Sequence, residues 1–223
     1  AKRKLSSGDD VTDNLRLAVQ EHRVNHLESA EQAYLQVLET QPNHPEALYG
    51  LGMLSQQIGK LQQGEEFLSL AVQEQPNSAK NWFALGNLYQ LQNKLQNAEY
   101  AYRKTIVLRS DAAPIYNNLG YTLEQQGKCK EAIKYYKKAL EVQSNCIEAE
   151  VNLGNILHTQ AQLSSDKRSY YAKLNYKLAL SRKKVRDFQN AEIYLKKALK
   201  LRPNYEEVVQ CLKEISESHS AKL

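Results

Sequence analysis

Residues 81–89 read Asn81-Trp82-Phe83-Ala84-Leu85-Gly86-Asn87-Leu88-Tyr89, and the Leu85-Gly86 step decides how the chain is read. The step recurs as Leu51-Gly52, Leu119-Gly120 and Leu153-Gly154, always at one constant interval, and Pro42 and Pro76 keep that interval too. A fixed period of this length marks a repeat architecture in which each unit is one supersecondary element. Starting each unit seven residues before its glycine places repeats at Pro45, Ala79, Ala113 and Ile147. Counting back from Pro42 adds a degenerate first repeat at Val11.

Within this frame the small residues fall where two helices must touch. Position 8 carries Ala18, Gly52, Gly86, Gly120 and Gly154, and position 20 carries Ala30, Gly64, Ala98 and Ala132. Antiparallel helices approach closely only where the crossing residues lack bulk. Large apolar groups flank them: Trp82, Leu85, Tyr89 and Tyr102 in the third repeat, Tyr116, Leu119, Leu123 and Tyr136 in the fourth. Gly59 and Gly127 stand where a first helix ends, a place for a left-handed residue. Pro42, Pro45, Pro76 and Pro114 lie between repeats, where proline stops one helix or starts the next. With 9 Gly and 5 Pro in 223 residues, the chain has too few breakers for a sandwich or a doubly wound sheet. Its wealth of Leu, Ala, Gln, Glu and Lys points to helices.

The pattern resembles the tetratricopeptide repeat (TPR) family. Trp82, Leu85-Gly86, Tyr89, Ala98 and Tyr102 of the third repeat match the family's framework. So does Lys130-Glu131-Ala132-Ile133-Lys134-Tyr135-Tyr136, which closes the fourth. The resemblance covers residues 11–205 and implies an all-α fold. The expected architecture is a right-handed superhelical solenoid of antiparallel helix pairs, about six repeats in one continuous stack with an irregular fifth.

The register breaks after the fifth repeat starts. Pro203 and Ala191 fit positions 32 and 20 of a repeat starting at Ala172, only 25 residues after Ile147. Asn175-Tyr176-Lys177-Leu178-Ala179 echoes Asn14-Leu15-Arg16-Leu17-Ala18 and supports that sixth frame. Either the fifth repeat has lost most of its second helix, or it carries a 25-residue insertion between its two helices. Residues 167–184 read as one helix with Ser164-Ser165-Asp166 as its capping signal, an extra helix that would disturb the up-down alternation. The expected organisation is a disordered leader or tag remnant over 1–10, the array over 11–205 with its break at 160–171, and a capping helix with a tail over 206–223. Val208, Val209, Leu212 and Ile215 give that last helix one apolar side.

Composition narrows the function. Apolar residues make up 42% of the chain and charged residues 25%, with a mean hydropathy of −0.64, an ordinary globular balance. No run approaches a membrane span. Cys129, Cys146 and Cys211 share no metal-ligand or redox spacing, which fits reduced thiols and a cytoplasmic location. No glycine-rich phosphate loop, Gly-x-Ser-x-Gly or His-Glu-x-x-His is present, so no enzyme is expected. His22 and His26 are four apart, a spacing that can hold a metal on one helix face. Arg23 adjoins them, no third ligand follows and the pair spans a helix end, so neither a metal nor a cofactor is expected.

The family resemblance implies that the first helix of each pair lines a concave groove through positions 2, 5, 6, 9, 12 and 13. Those positions hold Tyr49, Phe83 and Asn117 (position 5), Asn118 and Asn152 (position 6), and Asn87, Tyr121 and Asn155 (position 9). Carboxamides both donate and accept, so a row of them can pair with an extended peptide backbone whatever its side chains. The groove is partly similar to the asparagine ladder of the O-GlcNAc transferase superhelix, with Asn118 and Asn152 at the ladder position. Arg16, Gly50, Ala84 and Lys177 stand there in the other repeats. A carboxylate clamp of the co-chaperone kind is matched by Asn152, Lys173 and Lys177, but Asn117 and Tyr121 stand where Lys and Asn are needed. The charge is uneven as well. Residues 1–110 carry 11 Lys/Arg and 12 Asp/Glu, whereas residues 111–223 carry 19 and 13. Lys173, Lys177, Arg182, Lys183, Lys184 and Arg186 form a candidate basic docking patch. The expectation is a non-catalytic scaffold or adaptor that takes a peptide segment or helix of a protein partner in its groove; nucleic acid is not expected. The alternatives are a substrate-recognition arm of a larger enzyme such as a glycosyltransferase, or an assembly or co-chaperone factor that docks acidic partners through its basic C-terminal half.

Overall fold

A computed structural model describes residues 7–161 and 163–220. They form the helices α1 (Ser7–Arg23), α2 (Leu27–Thr40), α3 (Pro45–Gln57), α4 (Leu61–Glu74), α5 (Ala79–Leu91) and α6 (Leu95–Leu108). These are followed by α7 (Ala113–Gln125), α8 (Cys129–Val142), α9 (Ile147–Thr159), α10 (Ser165–Lys184), α11 (Phe188–Leu201) and α12 (Glu206–Ser220). No strand occurs among the described residues. Helix α1 starts at Ser7, before Val11, while residues 1–6 of the expected leader and 221–223 of the tail lie outside the described residues.

Local chemistry starts and stops these helices. His44 accepts the Ala47 N–H at 3.4 Å ahead of Pro45, and the Ser78 hydroxyl accepts the Asn81 N–H at 3.3 Å. Asn25, Gly59, Asn93, Gly127 and Ala161, spaced by the same constant interval as the glycine crossings, all have positive φ between 54° and 78°. After the first four, the next N–H turns back five residues: His26 to Glu21, Lys60 to Ser55, Lys94 to Tyr89 and Lys128 to Leu123, at 2.8–2.9 Å. One left-handed residue thus satisfies the last carbonyls of a helix and reverses the chain.

The crossing residues then set how close the two helices lie. A Cβ added at Gly86 or Gly120 would fall 2.8 Å from the ring of Tyr102 or Tyr136, and one at Gly52 would fall 2.5 Å from Leu68. Tyr102, Tyr136 and Leu68 have no exposed surface, nor have Ala30, Ala98 and Ala132. The second helix therefore drives a large apolar group into the gap left by the missing Cβ of the first.

The chain divides into two compact units, residues 1–111 and 112–223. The links 41–44, 75–78 and 143–146 close as turns, with His44, Ser78 and Cys146 donating to Gln41, Gln75 and Gln143 at 3.0–3.1 Å. Residues 109–112, where the division falls, run without a turn and lack the proline found at Pro42 and Pro76. The first unit holds α1–α6, with a core of Val11, Tyr34, Leu51 and Leu54 followed by Leu68, Val72, Leu85 and Leu88.

The second unit contains the register break. Helix α10 is one helix of 20 residues that packs against both α9 and α11. Near its start, Tyr171 fills the gap at Gly154 and Tyr170 donates to Glu150 at 2.6 Å. Near its end, Ala179 meets α11, where Ala191 and Leu195 are fully buried. One helix thus stands in for the second helix of the fifth repeat and the first helix of the sixth. The left-handed residues record the loss, since the next one after Ala161 is Arg186, with φ 60°, as early as the sixth frame itself. The irregularity expected in the fifth repeat is this merger of two helices into one. The helix begins two residues before the expected Lys167; Ser164 occupies the cap position, but its hydroxyl makes no capping bond.

Gly120→Ala gains up to about 1 kcal/mol of helix propensity and loses about 1–3 kcal/mol by displacing the Tyr136 ring. It should lower the denaturation midpoint in urea. Gly127→Ala, which meets no neighbour but strains a positive φ, should cost about 1 kcal/mol, and Arg186→Gly should recover a similar amount at the same turn. The three midpoints, monitored by circular dichroism, check these signs.

Candidate functional site

Groove positions in the first unit come from α3 and α5, which lie side by side. Tyr49 of α3 is half-buried, and burial raises its hydroxyl pKa above the ordinary value. The exposed Lys80 of α5 places its ammonium 3.7 Å from the centre of the Tyr49 ring, a cation–π contact. One turn along α5, Phe83 packs 5.9 Å from Tyr102. Tyr102 Oη lies 2.8 Å from Asn87 Oδ1 and 2.7 Å from Gln90 Oε1, so its single proton serves two carbonyl acceptors, at positions 9 and 12 of the repeat.

The second unit takes its groove positions from α7 and α9, again neighbours. Asn152 is only 7% exposed; its amide donates to Asn117 Oδ1 at 3.0 Å, and Asn117 donates to Asn118 at 3.4 Å. Asn152 thus orients Asn117 from within the packing, and Asn117 and Asn118 are the half-buried pair nearer solvent. Asn155 exchanges amide hydrogen bonds with Asn175 of α10 at 3.4 and 3.1 Å, and Asn175 also donates to the Tyr171 carbonyl at 2.9 Å. Tyr121 is half-buried, and burial followed by the nearby Glu124 raises its hydroxyl pKa. Glu124 accepts the Tyr136 hydroxyl at 2.6 Å. Lys197 of α11 has its ammonium pKa pushed down by burial and partly restored by Glu124.

The basic residues fall into two groups. Arg182 pairs with Glu148 at 3.5 Å and Lys183 with Glu214 at 2.6 Å, so their charge is partly used inside the unit. Lys173, Lys177 and Lys184 are exposed along α10, and Arg186 is exposed in the turn that follows.

Lys80, Gln90, Glu124 and Asn175 join the groove positions without having been singled out in the sequence. The first three occupy positions 2 and 12, which the groove pattern includes, so the frame contained the signal. Asn175 had none, because its partner lies 20 residues away on another helix. The two histidines separate: His22 bonds Gln57 at 3.2 Å and His26 bonds Glu21 at 2.8 Å, on either side of the turn at Asn25. Among the described residues no three His, Cys, Asp or Glu side chains gather in a metal-holding group, and no helix is long and apolar enough to cross a membrane.

Tetratricopeptide repeat models match residues 24–88, 113–146 and 172–205, together more than half of the chain. The last two segments coincide with the fourth and sixth repeat frames. No curated protein matches the sequence. Among solved structures, MamA is 22% identical with a TM-score of 0.65, over 90% of this chain and 96% of that one. PilF of Pseudomonas aeruginosa is 18% identical with a TM-score of 0.67, over 93% and 99% of the two chains. YrrB, described as a TPR protein with an unusual peptide-binding site, is 18% identical with a TM-score of 0.58, over 82% and 100%. At these identities the likeness concerns the fold alone. The repeat models, the periodic recurrence of glycine crossings and left-handed turns, and the paired helices agree: the chain belongs to the tetratricopeptide repeat family.

Proposed function

We propose that this chain is a non-catalytic protein–protein interaction scaffold that holds a peptide segment or helix of a partner against its first-of-pair helices. The observation that carries this reading is the Lys80 ammonium stacked 3.7 Å over the Tyr49 ring beside Phe83 and Asn87. Lys80 is exposed and makes no ion pair among the described residues, yet it sits on an aromatic face at a groove position. Such a pair can meet a carboxylate with its cation and an apolar side chain with its rings. In the second unit, the relay from Asn152 through Asn117 to Asn118 supports pairing with a peptide backbone, the partial likeness to an asparagine ladder. A protein partner is the proposal throughout; nucleic acid is not part of it. The three cysteines are free thiols, two of them buried, which supports a reducing, cytoplasmic setting.

Peptides selected from a random phage-displayed library on the purified chain provide the test. Lys80→Ala and Asn118→Ala should each weaken the selected peptides by about fivefold to tenfold, roughly 1–1.4 kcal/mol, with thermal midpoints close to the parent's. The reading fails if no peptide rises above background or if fluorescence anisotropy gives unchanged affinities for both variants. Asn152→Ala should cost about 1 kcal/mol of stability as well, because Asn117 loses a buried donor.

A further inference from the structure

Helix α10 is buried along one side only. Ala172, Asn175 and Ala179 have no exposed surface. The opposite side carries Asp166, Tyr170, Lys173, Lys177, Leu180 and Lys184, every one of them exposed or partly so. Their separations alternate between four and three positions, which sets the six side chains in one line over about 27 Å of helix. This alternation is the seam that a second helix reads when two helices pack side by side.

Chemistry along the line is mixed. Tyr170 is 50% exposed and Leu180 41%, and the Tyr170 hydroxyl is anchored on Glu150 at 2.6 Å, so the ring is held in place. Lys173, Lys177 and Lys184 make no ion pair among the described residues, whereas Arg182 and Lys183 on the flanks pair with Glu148 and Glu214. From Lys167 to Arg186 there are eight basic residues and no acid. The uncompensated charge therefore lies on the same line as the two apolar groups. A phosphate backbone or an anionic lipid surface would use the lysines but has no need of an apolar seam at this spacing, and Asp166 would repel either.

We propose that the exposed face of α10 docks an acidic amphipathic helix of a partner protein. Its carboxylates lie over Lys173, Lys177 and Lys184, its apolar side chains pack on Tyr170 and Leu180, and Asp166 fixes the direction by meeting a basic residue. Lys173, Lys177, Leu180 and Lys184 hold positions 2, 6, 9 and 13 of the sixth frame, so this proposal rests on the groove reading and names an occupant for α10. The selected peptides test that reading through Lys80 and Asn118, whereas a patterned peptide tests α10 alone.

The test uses the full chain and two labelled 20-residue peptides of identical composition. One carries Glu and Leu in the complementary 4-3 seam; in the other their order is shuffled to destroy the spacing. Fluorescence anisotropy should show binding of the patterned peptide that weakens with added salt and exceeds that of the shuffled one by at least tenfold. Lys173→Glu/Lys177→Glu/Lys184→Glu should lower the affinity more than tenfold, Leu180→Gln by about threefold, and Lys137→Ala, an exposed lysine on α8, should leave it unchanged. Circular dichroism of each variant verifies that it is folded. Equal binding of both peptides, or an unchanged affinity in the triple variant, overturns the proposal. Tighter binding of a 20-base-pair DNA or of phosphatidylserine vesicles, lost in the triple variant, also overturns it and assigns the face to that ligand instead.

Discussion

Everything in this molecule depends on the close crossing of two helices at a residue without a side chain. Removing the Cβ at Gly86 or Gly120 lets a tyrosine of the second helix sink until its ring is wholly buried. The ring is long enough that its hydroxyl reaches polar side chains of the first helix. There Tyr102 meets Asn87 and Gln90, and Tyr136 meets Glu124. The contact that closes the helix pair therefore also orients polar groups at the groove positions. Stability and the proposed recognition surface are coupled through one side chain, since a buried hydroxyl must find an acceptor.

The left-handed turn is the second constraint, and it explains how the array tolerates a shortened repeat. The turn needs only one residue with positive φ and one amide bonded five residues back, so it can follow any helix of suitable length. At Arg186 it follows α10, with the Asp187 N–H returning to Arg182 at 3.0 Å. Merging two helices into α10 keeps a turn at each end, and each end still finds a partner, Tyr171 at Gly154 and Ala179 beside Ala191. The merged helix has buried residues only on the side facing α9 and α11. That leaves a long line of exposed side chains on its other side, and the lysines with no ion pair among the described residues are on it.

Internal pairing sorts the candidate binding residues. Asn152, Asn155 and Asn175 satisfy one another or their neighbours inside the second unit, and Arg182 and Lys183 are engaged by acids on adjacent helices. A group already paired contributes less to an incoming ligand, because the new contact must replace the old one. Lys80, Lys173, Lys177 and Lys184 carry charge that no acid among the described residues offsets, which makes them the stronger candidates for meeting a partner.

The sequence by itself determined the period, the helical class, the crossing residues and the turns at Gly59 and Gly127, because all of these follow from contacts between near neighbours in the chain. It also located the shortened repeat, through the interval of 25 residues before the sixth frame. It left the topology there open between a lost helix and an insertion, since spacing counts residues and not packing partners. Tertiary structure decided that question, the division into two compact units and the roles of the polar residues. Asn152 sits inside the packing against Asn117, and Lys80 lies on Tyr49, because each pair is brought together by helices of successive repeats. Helical periodicity states which face a residue occupies; only the packed neighbour determines whether that face is already in use.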